Sequence, residues 1–598
     1  MENICTCDIE TASDGRILDI NLYNANESSY YLFSNWDQLI NHLADNGEES
    51  GVTRIFAHNG GNFDWVGLAC DMLRGNCGSR LSKITPPRIV GGCIIMMELW
   101  FRNPEPKRPG YKVRLLDSFR MLPASLNSLA HDFLGESKID VPDDYISRME
   151  DFKRDFPVQY SDYHKKDAVL LAKIIEAFEI EVLSFCNIKK FPATIGGLAL
   201  KIFQQNYMEK KKIIFPSSDM CAFEALAYKG GFTQYVGAGQ DNGETHFYEN
   251  VNSYDVNSMY PATMLNNKFP TCKGAWVTDL IRDENGLIES GVYEAEFEQT
   301  AGQCPILQIV DEKNRNLDYA WAGRGFYTHH ELNCLEQLGK ITRVHMGIYY
   351  EFTEDLFSDF VRDMYTRRAQ ARDAGELGKS LVYKLLMNNL YGKFGERDES
   401  SELCLADDET INSAMEKNQK IEYIEETENG TICIITKKRV VYNRFPAIAA
   451  MVTALGRIQI TDIMNVEKID VIYSDTDSIK TQQKIPEHYL SNTELGKFKL
   501  EAENETLIII NKKGYIQYRE DIEKASLKLK GVPIRSRTLP AMLELARGGM
   551  VEFSYRSPTK ILTTMKRLVQ NPYQFVHYTR RLNRAASMKE RGLLRNTN

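Results

Sequence analysis

Two periods of hydrophobic alternation run through the first 190 residues. Ile4–Glu10, Ile17–Leu22 and Val113–Asp117 alternate with period two and predict strands. Tyr163–Ile180 carries Leu170, Leu171, Ile174, Ile175 and Phe178 at helical spacing and predicts one long helix. Strands interleaved with helices imply an α/β unit. Further on, residues 357–373 and 379–392 predict two helices joined by a turn at Gly375–Gly378. Residues 397–420 are acidic and polar. Ile421–Tyr442 then predicts a β-hairpin, with Asn429-Gly430 as its two-residue turn. No apolar run approaches the ~18 residues of a membrane-spanning helix. Cys93–Met97 and Leu507–Ile510 are strand-sized, and no membrane is expected. The amino end passes from Met-Glu-Asn into a strand, so no secretory signal is expected either.

Composition narrows the class. The chain has 598 residues, 43% hydrophobic and 26% charged, enough for several cores or about four units of ~150 residues. Twelve cysteines show no Cys-x-x-Cys spacing, and the only close pair is Cys5 and Cys7. A zinc site or disulfide framework is not expected, and a reducing cytoplasm is. The net charge of −9 speaks mildly against nucleic-acid binding. Its distribution does not: Arg556–Asn598 holds ten basic residues and one acid, Glu590. That end reads equally as a polyanion contact or a solvated helical face.

The acids carry the chemistry. In Asp8-Ile9-Glu10 the strand period puts both carboxylates on one face, where their repulsion calls for a cation such as Mg²⁺ or Mn²⁺. Asp475-Thr476-Asp477 repeats that spacing after the strand Ile469–Tyr473, where a hairpin would ordinarily prefer a glycine turn. Asp255 follows another strand-like stretch. Taken singly, each acid reads as a solvated strand end. Together, Asp255 and Asp475 on neighbouring strands would bridge two metals about 3.5–4 Å apart, an arrangement for in-line phosphoryl transfer. Lys384, Asn388 and Tyr391 share one helical face that is cationic, amidic and aromatic. Gly378-Lys379-Ser380 looks like the end of a P-loop, but Asp373 stands at its first glycine position and no strand precedes it. An ATPase reading is rejected.

In order along the chain, these pieces resemble family B DNA polymerases, in particular the small protein-primed enzymes of bacteriophages and linear plasmids. Cys7–Thr11, His58–Asp64 and Tyr163–Asp167 are similar to the three exonuclease motifs. Tyr228–Gly231 is similar to the motif linking exonuclease and polymerase domains. Asp255–Pro261, Lys384–Gly392 and Tyr473–Ser478 are similar to polymerase motifs A, B and C. Thr453–Arg457 and Lys513–Tyr515 are similar to primer-template contact motifs. Asn389 departs from the family's usual serine, and Phe119 follows Ser118 where leucine is common.

The resemblance implies an α+β multidomain fold: an RNase-H-like 3′–5′ exonuclease domain at 1–190 and a right-hand polymerase. Palm would fill 191–261 and 436–535, a protein-priming insertion 262–356, and fingers 357–396. A second insertion, for strand displacement and processivity, would fill 397–435, and the thumb 536–598. Asp8 lies too near the start for a further amino-terminal domain ahead of the exonuclease. Asp255, Asp475 and the Val256 carbonyl would hold two Mg²⁺, or Mn²⁺, with Asp477 in support. Ser258, Tyr260, Lys384, Asn388 and Tyr391 would bind the nucleotide, Tyr260 excluding a 2′-hydroxyl. Asp8, Glu10, Asp64 and Asp167 would hold two metals in the exonuclease, with Tyr163 orienting water. His58, Asn59, Phe63 and Ser118 would hold single-stranded DNA. Tyr228, Gly230, Gly231, Thr453, Arg457, Lys513, Tyr515 and Lys528 would contact primer-template DNA. The partners implied are dNTPs, a terminal protein and a single-stranded DNA-binding protein, for a monomer in the cytoplasm. A nucleic-acid-primed repair polymerase is the competing reading. A catalytically dead scaffold is a third, opposed by the complete carboxylate sets.

Overall fold

The computed structural model describes residues 3–557 and 576–583, apart from 50, 91, 103–109, 209–211, 237–245, 311–316, 428–429, 440 and 442. Its first layer is a ten-stranded sheet. Seven strands come from residues 5–117, with Cys5–Thr11 paired parallel to Arg54–Ala57 and that strand parallel to Lys112–Asp117. The expected helix is real and longer, Pro157–Leu183, and it buries Leu170, Leu171, Ile174, Ile175 and Phe178. Buried Arg54 on the sheet pairs with buried Glu179 on that helix, Nη2 to Oε2 at 3.1 Å. Breaking either half would strand the other charge away from water.

The remaining three strands of this sheet come from much later in the chain. Glu399–Ala406 joins the edge strand Leu81–Val90 through Ser401↔Ile89 and Glu402↔Arg88. The expected hairpin, Lys420–Thr427 with Gly430–Lys438, extends the sheet outward. Asn429, half of its expected turn, lies outside the described residues. An exposed sheet edge is a template for pairing, and here the chain itself covers it.

The second large sheet has seven antiparallel strands in the order Ser526–Leu529, Gly514–Tyr518, Phe498–Asn511, Phe247–Val256, Ser478–Thr481, Val471–Thr476, Phe232–Tyr235. Beneath it runs the helix Pro446–Asn465. By length and composition alone this helix could cross a membrane, contrary to the reading of the raw sequence. Thr453, Arg457, Gln459 and Thr461 interrupt its apolar run, yet its average hydropathy stays high. It is 78% buried in its apolar window and serves as a core helix.

Two helices, Ser358–Asp373 and Leu377–Phe394, pack beside this sheet, and Gly375 at φ +74° makes the turn between them. The second helix starts two residues earlier than the periodicity predicts. Phe203, Phe357, Phe360 and Phe394 lock the pair to helix Ile195–Asn206, with ring centroids 5.3–6.3 Å from Phe203. Residues 275–349 form a separate four-stranded sheet with the helix His329–Glu336. Near the carboxyl end, Met550–Ser557 pairs with Val576–Asn583. Arg556, Arg580 and Arg581 sit on those strands. Lys560, Lys566, Arg567, Arg584, Lys589, Arg591 and Arg595 lie outside the described residues.

One buried acid joins three of these units. Glu224 is fully buried, accepts from the Tyr350 hydroxyl at 2.7 Å, and accepts from the Ala447 amide at the start of the core helix at 3.0 Å. Burial pushes its carboxyl from 4.5 up to about 7. The folded state therefore keeps a proton that the unfolded chain loses, so stability should fall as pH rises from 4.5 to 7, by up to about 3 kcal/mol. Glu224→Gln keeps both contacts and should flatten that loss, read as melting temperature at pH 5 against pH 8. Glu224→Ala should cost about 2–4 kcal/mol at either pH by orphaning two buried donors. Equal pH dependence in parent and Gln variant would contradict the assignment.

Candidate functional site

The palm-like sheet places its acids by register. Ser478 pairs with Asp255 on one side and with Asp475 on the other. One strand therefore separates the two acids, roughly 10 Å between backbones, and leaves room for ions between the carboxylates. Asp475 and Asp477 do not share a strand face as their spacing predicts. Thr476 takes φ +66°, so Thr476-Asp477 is the turn itself. The Asp477 carbonyl accepts from the Val256 amide at 2.8 Å, which fastens the hairpin to the strand of Asp255.

Asp475 Oδ1 accepts from Thr233 Oγ1 at 3.0 Å and pairs with Lys513 Nζ at 2.8 Å. Burial, then the charges of Asp477 and Glu501, push the Asp255 carboxyl to about 7, with Lys384 and Lys499 opposing. Burial also raises Asp477. Tyr260 packs on Tyr391, ring centroids 5.0 Å apart. Gly231 and Gly456 make that space: a Cβ on Gly231 would lie 3.0 Å from the Tyr260 hydroxyl, and one on Gly456 would lie 3.1 Å from its Cε1. Lys384 is exposed, and Asn388 and Tyr391 face a cleft of about 810 Å³. Its other walls include Tyr228, Arg88, Arg114, Arg120, Lys190, Lys393 and Arg439, so it is strongly cationic.

Two basic residues here escaped the sequence reading. Arg368 donates to Ser258 Oγ at 3.1 Å from the opposite helix. Lys480 lies over the Tyr515 ring, 5.1 Å from its centre, and donates to Ser253 Oγ at 3.0 Å. The Arg368/Arg372 spacing was a usable signal for the first; nothing local marks the second.

Some expected DNA contacts are not available. Thr453 is buried and donates back to Ala449 and Ala450 of its own helix, at 3.2 and 3.1 Å. Arg457 is 2% exposed, and both of its terminal nitrogens are taken, one by the Lys229 and Gly230 carbonyls and the other by Glu331. Both are packing residues, because helix Pro446–Asn465 is covered on nearly every side. Lys528 is exposed beside Tyr515, with which it pairs in register.

The second site lies on the ten-stranded sheet. Asp8 and Glu10 project from one face of Cys5–Thr11 while Cys7 and Ile9 are buried on the other. Asp64 opens the helix Asp64–Leu73, and Asp167 comes from the long helix. Gly61 is required before it, since a Cβ there would stand 1.9 Å from the Ile94 carbonyl. Burial pushes Asp8 and Asp167 to about 6, and burial with the charge of Asp8 raises Glu10 and Asp64 further. Lys138, another residue the sequence reading missed, sits 2.5 Å from Asp167 Oδ2 and 5.4 Å from the Tyr163 ring centre. Asp8, Glu10, Lys138, Tyr163 and Asp167 line a cavity of about 140 Å³ with His58. His58 has both ring nitrogens committed, to Ser118 Oγ at 3.0 Å and the Ala124 carbonyl at 2.9 Å. Ser118 is itself 1% exposed. These two brace the site from behind instead of reaching a strand, while Asn59 and Phe63 are half-exposed.

Among the described residues, no three side chains already converge as a finished metal cage. The donor set nevertheless fits a hard divalent cation: all ligands are oxygen, their charges repel, and Asp64 Oδ1 and Asp167 Oδ1 are buried without partners.

A right-hand arrangement of palm, fingers and thumb beside a separate mixed α/β unit is the fold class this layout defines. A family model described as DNA polymerase type B, organellar and viral, matches residues 143–492, and the chain belongs to that family. It is 27% identical to the DNA-directed DNA polymerase of Enterobacteria phage PRD1 over 474 residues, covering 78% of this chain and 74% of that one. It is 24% identical to a probable DNA polymerase of Neurospora intermedia, covering 75% of this chain but only 50% of that protein. Among solved structures, phi29 DNA polymerase complexed with primer-template DNA superposes with a TM-score of 0.74 at 18% identity, over 98% of this chain and all of that one.

Crowded carboxylates predict a stability effect at the second site. In EDTA near neutral pH, Glu10→Gln should melt higher than the parent, because folding the parent must either take up a proton at Glu10 or crowd a further charge beside Asp8. Mg²⁺ or Mn²⁺ should raise the parent's melting temperature more than the variant's. Identical melting of both proteins in EDTA would show that the acids do not strain the fold.

Proposed function

We propose that this chain is a DNA-directed DNA polymerase that proofreads with its own 3′–5′ exonuclease and begins strands on a terminal protein, copying a viral or linear-plasmid genome. The observation that carries the reading is the pairing of Asp255 and Asp475 across Ser478, opposite the Lys384–Tyr391 face. Family membership and the likeness to the PRD1 and phi29 proteins support it.

Asp255, Asp475 and the Val256 carbonyl would hold two Mg²⁺. These ions would lower the pKa of the attacking hydroxyl and neutralise triphosphate charge. Lys384 and Arg368 bind the triphosphate from the finger helices, and Tyr391 shapes the base-pair pocket. Tyr260, backed by Tyr391, closes the space a 2′-hydroxyl would need. Lys513 neutralises Asp475 and holds it in place. Tyr515 and Lys528 offer the primer strand an aromatic and cationic rail, and buried Lys480 holds the Tyr515 ring from behind.

In the second site Asp8, Glu10, Asp64 and Asp167 would hold the metals of hydrolysis. Tyr163, hydrogen-bonded to Glu10, orients the water, and Lys138 steadies Asp167. Asn59 and Phe63 receive the frayed end, Phe63 by stacking. Strand 399–406 with its hairpin, docked on the exonuclease sheet beside the cationic cleft, suits separation of the downstream duplex. The hydroxyl that starts a strand would be a Ser, Thr or Tyr of the terminal protein, received beside the insertion 262–356. We place the protein as a monomer in the host cytoplasm, working with a single-stranded DNA-binding protein.

Asp255→Ala or Asp475→Ala should abolish primer extension, by at least about 10³-fold, and leave 3′–5′ degradation of single strands intact. Asp8→Ala combined with Glu10→Ala should do the reverse. Both activities are read from one labelled primer-template with and without dNTPs, and cross-over of the two phenotypes would refute the assignment of sites. For priming, the chain is mixed with a candidate terminal protein and labelled dNTP. A covalent nucleotide–protein adduct is expected. Its absence, with DNA-primed extension intact, would favour the repair-type polymerase.

A further inference from the structure

The segment Tyr228–Gly231 leads into the edge strand Phe232–Tyr235, and its lysine points away from the palm. Lys229 is 5% exposed. Its Nζ donates to the carbonyls of Gln308 at 3.2 Å and Phe326 at 2.8 Å, and lies 4.0 Å from the Tyr327 ring centre. All three partners belong to the expected insertion, 262–356. From the other side Arg457 donates to the carbonyls of Lys229 at 3.0 Å and Gly230 at 2.8 Å. Its second nitrogen meets Glu331 Oε1 at 2.7 Å. Glu331 is 2% exposed, and its other oxygen accepts from the Thr328 amide and hydroxyl, both at 3.0 Å.

One insertion carboxylate thus faces two buried cations. Apolar residues of equal volume would fill this space at no electrostatic cost, so the cluster is not needed merely to pack it. What it does is hold two carbonyls of a short loop at one height. That height matters, because a Cβ at Gly231 would stand 2.6 Å from Thr476 Cγ2 and 3.0 Å from the Tyr260 hydroxyl. Thr476 is the turn between Asp475 and Asp477, and Tyr260 is the nucleotide-site ring. A small shift of the loop therefore presses on both. Burial draws Lys229 down to about 7 while the charge of Glu331 holds it up, in keeping with that dependence.

We propose that Glu331 is a positioning residue for the polymerase site: through Arg457 and Lys229 the insertion holds the Lys229–Gly231 loop, and so serves ordinary DNA-primed extension as well as priming on protein. The proposal rests on the polymerase reading above.

The test uses the full chain with Glu331→Gln, which keeps shape and removes the charge, and with Glu331→Leu combined with Arg457→Leu, which removes both charges. Amide exchange at Gly230 and Gly231 is measured on the free protein. Extension against degradation is measured on a DNA primer-template over a range of dNTP. In Glu331→Gln the two amides should exchange about tenfold faster. The dNTP level at which extension overtakes degradation should rise about tenfold, and single-strand degradation should stay within about twofold of the parent. The double variant leaves Lys229 on its two carbonyl acceptors and the Tyr327 ring, so it should still melt in one cooperative transition, and it should show both defects, which separates position from loss of the fold. Parental exchange and parental switching in Glu331→Gln would overturn the proposal, as would parental extension by the double variant. Because exchange is read without substrate, a parent that extends no primer refutes the polymerase reading and leaves the loop result standing.

Discussion

Like charges must be crowded at two places in this molecule, and nothing in the acids themselves holds them together. Asp8, Glu10, Asp64 and Asp167 at one site, and Asp255, Asp475 and Asp477 at the other, all repel. Most are driven toward protonation by burial and by one another. The scaffold must therefore supply the force that their mutual energy opposes. It does so with sheet hydrogen bonds, which fix backbone register irrespective of side-chain charge. Ser478 between Asp255 and Asp475, and the Val256–Asp477 bond, show how little freedom remains. Lys513 and Lys138 each offset one carboxylate, and a divalent cation would relieve the rest.

The same logic explains the unusual continuity of the ten-stranded sheet. Strand 399–406 closes an edge that residues 81–90 leave open, so a segment that follows the finger helices is rooted in the amino-terminal sheet. The cationic cleft lies between these parts, walled by residues from both. Movement of one site relative to the other is therefore limited by backbone hydrogen bonds as well as by side-chain contacts. Glu224, joining residues 218–227, the end of the insertion and the core helix, limits it from below.

Local periodicity was enough to read much of this. The shared face of Asp8 and Glu10 follows from the strand period, and the face of Lys384, Asn388 and Tyr391 from the helical one. The long helix at Pro157–Leu183 and the hairpin strands near 421–438 show the same. The errors fell where a residue's partner is distant. Thr476 gave no sign that it would take a left-handed conformation, so the acids flanking it were read as one strand face. Arg457 and His58 lie in motifs that suggest DNA contact, yet both terminal nitrogens of Arg457 and both ring nitrogens of His58 are held by groups from other elements. The core helix is hard to read from sequence because polar residues between Thr453 and Asp462 break its apolar run.

By itself, then, the order of residues determined the local elements, the carboxylates and the family, because periods of two and 3.6 residues and short motifs act within a few residues of themselves. Only the tertiary structure decided which acids meet, that Lys138 joins Asp167 and Arg368 joins Ser258, that residues 399–438 complete the ten-stranded sheet, and that Arg457 faces Glu331 instead of solvent. Those outcomes depend on long-range strand register and on which surfaces become buried. Neither quantity is carried by any short stretch of chain.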